Sequence, residues 1–152
     1  MRLLVILVLA TLPLAAELRK VEMTVGGLDC DSCALSVDRV VKRIRGVDTA
    51  TFDPKALLVT VTFKPENKVQ LAAIRDAVKG VGYTPGETRI VARGSLTLDN
   101  GEWRFLPSGV EKSFSADVPE DVRKAAGSDV IVEGVFPEKS DVLKVKSAKK
   151  AE

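Results

Sequence analysis

Cys30 and Cys33 are the only two cysteines of the chain, which has no histidine at all. Two thiols at this spacing can close on one soft metal ion, or on each other as a disulfide. The thiolate is the species that binds metal. A helix N-terminus favours it, because free N–H groups and positive potential lower a thiol pKa. Gly26 and Gly27, just upstream, permit a loop that exposes both sulfurs. Asp29 precedes the first thiol and is either a further ligand or a solvated loop residue or helix cap. Asp31 reads as a first-turn acid that complements the helix dipole. A closed structural zinc site needs four ligands, more than this donor set supplies, and the same shortage argues against a metalloenzyme. Without histidine, no serine–histidine or cysteine–histidine nucleophile can be assembled.

The elements that must position these thiols read as alternating strand and helix over residues 19–85. Val21, Met23 and Val25 alternate as one face of a strand. Val37, Val40, Val41 and Ile44 follow at helical spacing, with Lys42, Arg43 and Arg45 in the last turn and Gly46 at the expected left-handed cap. Val47–Phe52 is a second strand, Asp53-Pro54-Lys55 a turn, and Leu57, Val59, Val61 and Phe63 an alternating third strand. Lys64-Pro65-Glu66-Asn67 breaks it. Leu71, Ile74, Ala77 and Val78 mark a second helix, closed by Gly80 and Gly82, and a fourth strand starts near Tyr83. The order βαββαβ is that of ferredoxin-like domains, so the fold class is α+β. The thiols fall between the first strand and the first helix.

Residues 86–147 read differently. Arg89–Leu98 is a long strand, and Asp99-Asn100-Gly101 turns it into a second strand, Glu102–Leu106. Lys112–Ala116 is a third. Pro119–Ala126 reads as a short helix, with Asp117 as cap and Gly127 after its end. Val130–Phe136 and Val142–Val145 complete the set. Three strands, a short helix and two strands is the order of an OB-like β-barrel, and Gly94 and Gly134 suit the bends of a small barrel. Residues 148–152 read as a lysine-rich tail. Trp103, Phe105, Phe114 and Phe136 read as core packing rather than as a nucleic-acid groove.

Residues 20–85 resemble a heavy-metal-associated domain, the module of copper chaperones, metal-pumping ATPases and periplasmic mercury-binding proteins. Gly27-Leu28-Asp29-Cys30-Asp31-Ser32-Cys33 lines up with that family's Gly-Met-x-Cys-x-x-Cys loop, and Val81-Gly82-Tyr83 with the Gly-Tyr that often closes its second helix. The resemblance implies metal binding by Cys30 and Cys33, and places Tyr83 near the thiols or as a half-buried aromatic at the helix end. Leu28 stands where the family usually has methionine, a swap a core position tolerates. In some zinc-, cadmium- and lead-pumping relatives an aspartate at the place of Asp29 joins the cysteines. Two thiolates alone suit Cu(I) or Hg(II), whereas an added carboxylate favours Zn(II), Cd(II) or Pb(II).

The first sixteen residues form a basic start, an apolar run over Leu3–Leu12 and a small-residue end at Ala15-Ala16, the pattern of a cleaved signal peptide. The expected location is therefore periplasmic or secreted. A net charge of +2, evenly spread, implies neither nucleic acid nor an acidic membrane surface. The expected function is capture and transfer of a thiophilic metal ion, with no enzymatic activity and a membrane metal transporter or other metal-exchange protein as partner. The competing expectation is a thiol–disulfide oxidoreductase or redox sensor, since exported compartments favour oxidation. A bridge over so short a loop would serve redox chemistry more than stability. A third is an adhesion or assembly module in which the barrel does the work.

Overall fold

The structure, a computed structural model, describes residues 17–27 and 31–151, with only the backbone for residues 17 and 31–36. The expected export signal, residues 1–16, lies outside the described residues.

Strand β1 (Glu17–Gly26), helix α1 (Asp31–Lys42), strands β2 (Val47–Asp53) and β3 (Leu58–Phe63), helix α2 (Leu71–Gly80) and the start of strand β4 (Thr84–Asp99) follow in the expected order. The strands lie side by side as β2-β3-β1-β4, every neighbour antiparallel, which is the ferredoxin-like arrangement. The apolar spacing explains the packing. Val37 and Val41 of α1 and Leu71, Ile74 and Val78 of α2 are buried, in one cluster with Val21, Met23, Val59 and Val61 of the strands. At Gly46 the chain adopts φ +104, and a Cβ there would meet Val69 Cγ2 at 2.9 Å and Asn67 Cβ at 3.0 Å. Glycine is required on both counts. Asn67 is buried with its amide satisfied: Nδ2 donates to the Leu18 and Lys64 carbonyls at 2.9 Å each, and Oδ1 accepts from the Val69 N–H at 3.3 Å.

The expected strands near Tyr83 and over Arg89–Leu98 are one. β4 runs sixteen residues, through Pro85-Gly86-Glu87. A proline and a glycine normally break a strand, but here they fall at a β-bulge: Gly86 and Glu87 of β4 stand opposite the single residue Thr24 of β1, between the pairs Val25–Pro85 and Met23–Thr88. A Cβ on Gly86 would come within 2.5 Å of Thr24 Oγ1, so glycine lets the bulged residue approach. Thr24 Oγ1 donates to the Glu87 carbonyl at 3.3 Å.

Past the ferredoxin-like part, β4 continues against strand β5 (Glu102–Pro107). Then come β6 (Phe114–Asp117), the four-residue helix α3 (Glu120–Arg123), β7 (Gly127–Phe136) and β8 (Leu143–Lys150). The β4–β5 turn is the one expected: Asn100 and Gly101 have φ +49 and +85, and Asp99 faces Glu102. The ladder proceeds β4-β5-β6-β8-β7, with β6 and β8 parallel, and β7 pairs back onto β4 from Thr88 to Leu96. The pairings therefore close into a ring of five strands. Leu96, Phe105, Val132, Phe136 and Leu143 are buried, and Phe114 meets Phe136 edge-on at 5.0 Å. Gly94 and Gly134 sit where no side chain fits: a Cβ would collide with the Leu106 carbonyl oxygen and with Leu143 Cδ1 respectively.

Three local expectations differ. Residues 148–150, read as tail, pair with β7, so β8 runs to Lys150; Leu143 and Val145 face inward while the lysines stay exposed. The third strand begins at Phe114, later than Lys112. The short helix spans only Glu120–Arg123, its N-cap is Pro119 with no side-chain cap bond, and Gly127 opens β7 instead of capping α3.

Candidate functional site

The loop that carries the thiols is fixed at both ends. β1 stops at Gly26, and Gly27 adopts φ +90, which favours glycine. A Cβ on Gly27 would lie 3.7 Å from the Gly82 carbonyl oxygen and from Thr84 Oγ1, so the loop leaves the sheet beside the joint between α2 and β4. The Val25 N–H donates to the Leu57 carbonyl at 2.9 Å, which anchors the end of β1 to the turn before β3. That turn is organised by Asp53, whose Oδ1 accepts from the Lys55 and Ala56 N–H groups at 2.8 and 3.2 Å. On the far side α1 begins at Asp31, so position 33 lies in its first turn. Asp29 and Cys30 lie outside the described residues, and so does the side chain of Cys33. In general, a thiol in the first turn of a helix is stabilised as the thiolate by the positive end of the helix.

At the joint between α2 and β4 the structure brings together residues that sequence reasoning did not join. Tyr83 is 3% exposed and packs edge-on against Phe52, ring centroids 5.9 Å apart. The half-buried Asp38 of α1 lies close enough that its charge, added to burial, raises the Tyr83 pKa. Burial in turn pushes the Asp38 carboxyl above its ordinary value of 3.8. Tyr83 Oη and Asp38 Oδ1 are both buried without a hydrogen-bond partner among the described residues. Tyr83 was singled out by the Gly-Tyr pair; Asp38 was not, because one carboxylate beside a valine stripe carries no distinctive spacing. Among the described residues no three histidine, cysteine, aspartate or glutamate side chains are gathered as a metal site.

Known proteins resemble this part of the chain. Residues 22–84 match the family model of the heavy-metal-associated domain. A zinc-transporting ATPase of Synechocystis sp. is 32% identical over 85 residues, covering 56% of this chain and 11% of that protein. Copper-transporting ATPase HMA4 of Oryza sativa subsp. japonica is 32% identical over 69 residues, covering 45% of this chain and 7% of that protein. The chain thus spans only about a tenth of the length of these curated relatives. Among solved structures, the CopZ metallochaperone is 26% identical over 43% of this chain and 97% of its own, with a TM-score of 0.41. By the family model, a heavy-metal-associated domain lies at residues 22–84.

Proposed function

We propose that this chain captures one thiophilic metal ion between Cys30 and Cys33 and passes it to another protein by ligand exchange. The observation that carries the reading is the coincidence of two features. The only cysteine pair of the chain falls at the junction of β1 and α1, and that junction lies inside the matched heavy-metal-associated domain. Two ligands suit transfer, since an incoming thiolate can form a third metal–sulfur bond before either original bond breaks. Cu(I) and Hg(II) lead, because two thiolates satisfy near-linear coordination. Zn(II), Cd(II) or Pb(II), with Asp29 as an added oxygen ligand, is the alternative. The relatives, a copper-transporting and a zinc-transporting ATPase by name, support both ions. They also make a membrane metal transporter the natural exchange partner.

The remaining elements of the reading follow from the sequence. Export on the signal at residues 1–16 sets the periplasm or exterior as its location, and the protein acts by binding, not by catalysis. The ring of strands from β4 to β8 is read as an OB-like barrel. Its support is the ring order β4-β5-β6-β8-β7, the single parallel pair β6–β8, and the helix between the third and fourth strands of the ring.

The test is titration of the fully reduced chain with Cu(I) and with Zn(II), read by thiolate-to-metal absorbance. Saturation at one ion per chain is expected, and Asp29→Ala should weaken Zn(II) more than Cu(I). Absence of saturable binding, together with turnover of a model disulfide, would replace this reading with the oxidoreductase.

A further inference from the structure

Away from the thiol loop, a cavity of about 510 Å³ opens between α2 and the segment joining β5 to β6. One face of α2 forms a wall, since Leu71, Ala72, Arg75, Asp76 and Lys79 all line it. The floor is apolar: Leu71 and Ile90 are buried there, with Phe114 beside them. The rim is unequally charged, with Arg75, Lys79, Arg104 and Lys112 facing only Asp76 and Asp141.

These cations are not all engaged by the protein. Arg75 is stacked 5.3 Å over the Phe136 ring and lies 3.5 Å from the exposed Asp141. Arg104 makes only loose contacts, 3.5 Å to Glu102 and 3.5 Å to Ser113 Oγ, on the exposed rim. Lys79 and Lys112 form no ion pair among the described residues. The start of α2 also borders the cavity through Gln70. It has neither a side-chain cap nor an acid in its first turn, so the helix dipole adds to the positive field.

We infer that this cleft binds a small organic anion, a carboxylate carried on an apolar body. The volume is that of a small-molecule site, which typically spans roughly 300–1,000 Å³. An inorganic anion would leave the apolar floor without a partner. A neutral apolar ligand would leave the positive rim uncompensated. A metal ion is disfavoured because the two carboxylates are outnumbered by cations. The carboxylate lies toward Arg104 and Lys112, and its apolar body rests on Ile90, Leu71 and Phe114.

The test uses sodium octanoate as the probe on the full chain, with 1-octanol as its neutral counterpart, followed by backbone amide NMR. Octanoate should produce saturable shifts at Gln70, Ala72 and Ser113, and octanol should bind at least about fivefold more weakly. Arg104→Gln and, separately, Lys112→Gln should each weaken octanoate by about fivefold or more, with melting temperatures near that of the parent. Lys112 lies outside every strand and helix, so its variant tests the idea without touching the sheet. Equal binding of octanol, shifts located away from the cleft, or unchanged affinity in both variants would each overturn the inference.

Discussion

The thiol junction and the ring of strands share β4 and one continuous apolar cluster, yet they treat polar groups in opposite ways. Around the junction, the loop leaves the sheet through a left-handed glycine, and both orphaned buried side-chain atoms of the described residues, Asp38 Oδ1 and Tyr83 Oη, belong to this part. In the ring, the interior is Leu, Val and Phe, and the glycines Gly94 and Gly134 serve close packing alone. Local inconsistency gathers where chemistry is expected, and consistency where only rigidity is needed. The lesson is one of position: the reactive loop is at the end of a sheet whose far half holds β4 in place.

The largest effect should come from the thiols. Cys30→Ser or Cys33→Ser should abolish stoichiometric Cu(I) binding, with affinity reduced by more than about a hundredfold, because a single thiolate cannot complete the pair. Melting of the metal-free chain should barely change, and this split would sharpen the contrast between chemistry and scaffold. The converse variant is Phe136→Ala in the ring, which should cost about 3–5 kcal/mol as a large-to-small core substitution. Since β4 and the core are common to both parts, urea unfolding should remain one transition. It can be followed by Trp103 fluorescence for the ring and by far-ultraviolet circular dichroism for the whole chain. Two separated transitions would break the picture of a shared framework.

Much of this arrangement was legible in the residues. Alternation at Val59 and Val61 and the stripe from Leu71 to Val78 gave the elements, because periodicity and burial are the same physical fact, whereas Leu57, read on the same face, is an exposed residue at φ +49 just before β3. Gly46 and Asn100-Gly101 marked turns because left-handed backbone is expensive for other residues. What failed was local punctuation. Pro85-Gly86 reads as a break, and only the bulge of β4 against Thr24 of β1, which lies 63 residues before Glu87, explains why the strand survives. Residues 148–150 read as part of a tail because a strand end whose exposed positions are lysines looks like a charge run. Around the thiols, the pair itself was plain from spacing, whereas the approach of Asp38 to Tyr83 arises from tertiary packing and has no sequence signal.

That approach gives a smaller, testable effect. The raised pKa of Asp38 comes from burial, so its charged form is disfavoured in the native state. The resulting penalty is complete above the raised native value and disappears as pH falls toward the ordinary value of 3.8. Asp38→Asn should therefore raise the melting temperature of the metal-free protein at neutral pH, with the gain shrinking in acid. A lower melting temperature at neutral pH would mean that the carboxylate has a stabilising partner, and the contrast with the satisfied ring would weaken.

The smallest effect belongs to the ring's own ion pair. Arg93 of β4 donates from Nε and Nη2 to the two oxygens of Asp129 in β7, at 2.6 and 2.7 Å, across the pairing that closes the ring. The Arg93 hydrogen bonds hold the Asp129 carboxyl below its ordinary value, against the opposing effect of desolvation and with help from the charges of Arg93 and Arg19. A lowered native pKa stabilises the fold in full above 3.8, and that stabilisation is lost as pH falls through the native value. Asp129→Asn should accordingly lower the melting temperature slightly near neutrality and make no difference in strong acid, with the gap narrowing in high salt. A small gap is expected because Asp129 is half exposed, and water competes for both partners. A loss as large as that of Phe136→Ala would show that ring closure depends on this charge pair more than on the apolar interior, reversing the division of labour between the two regions.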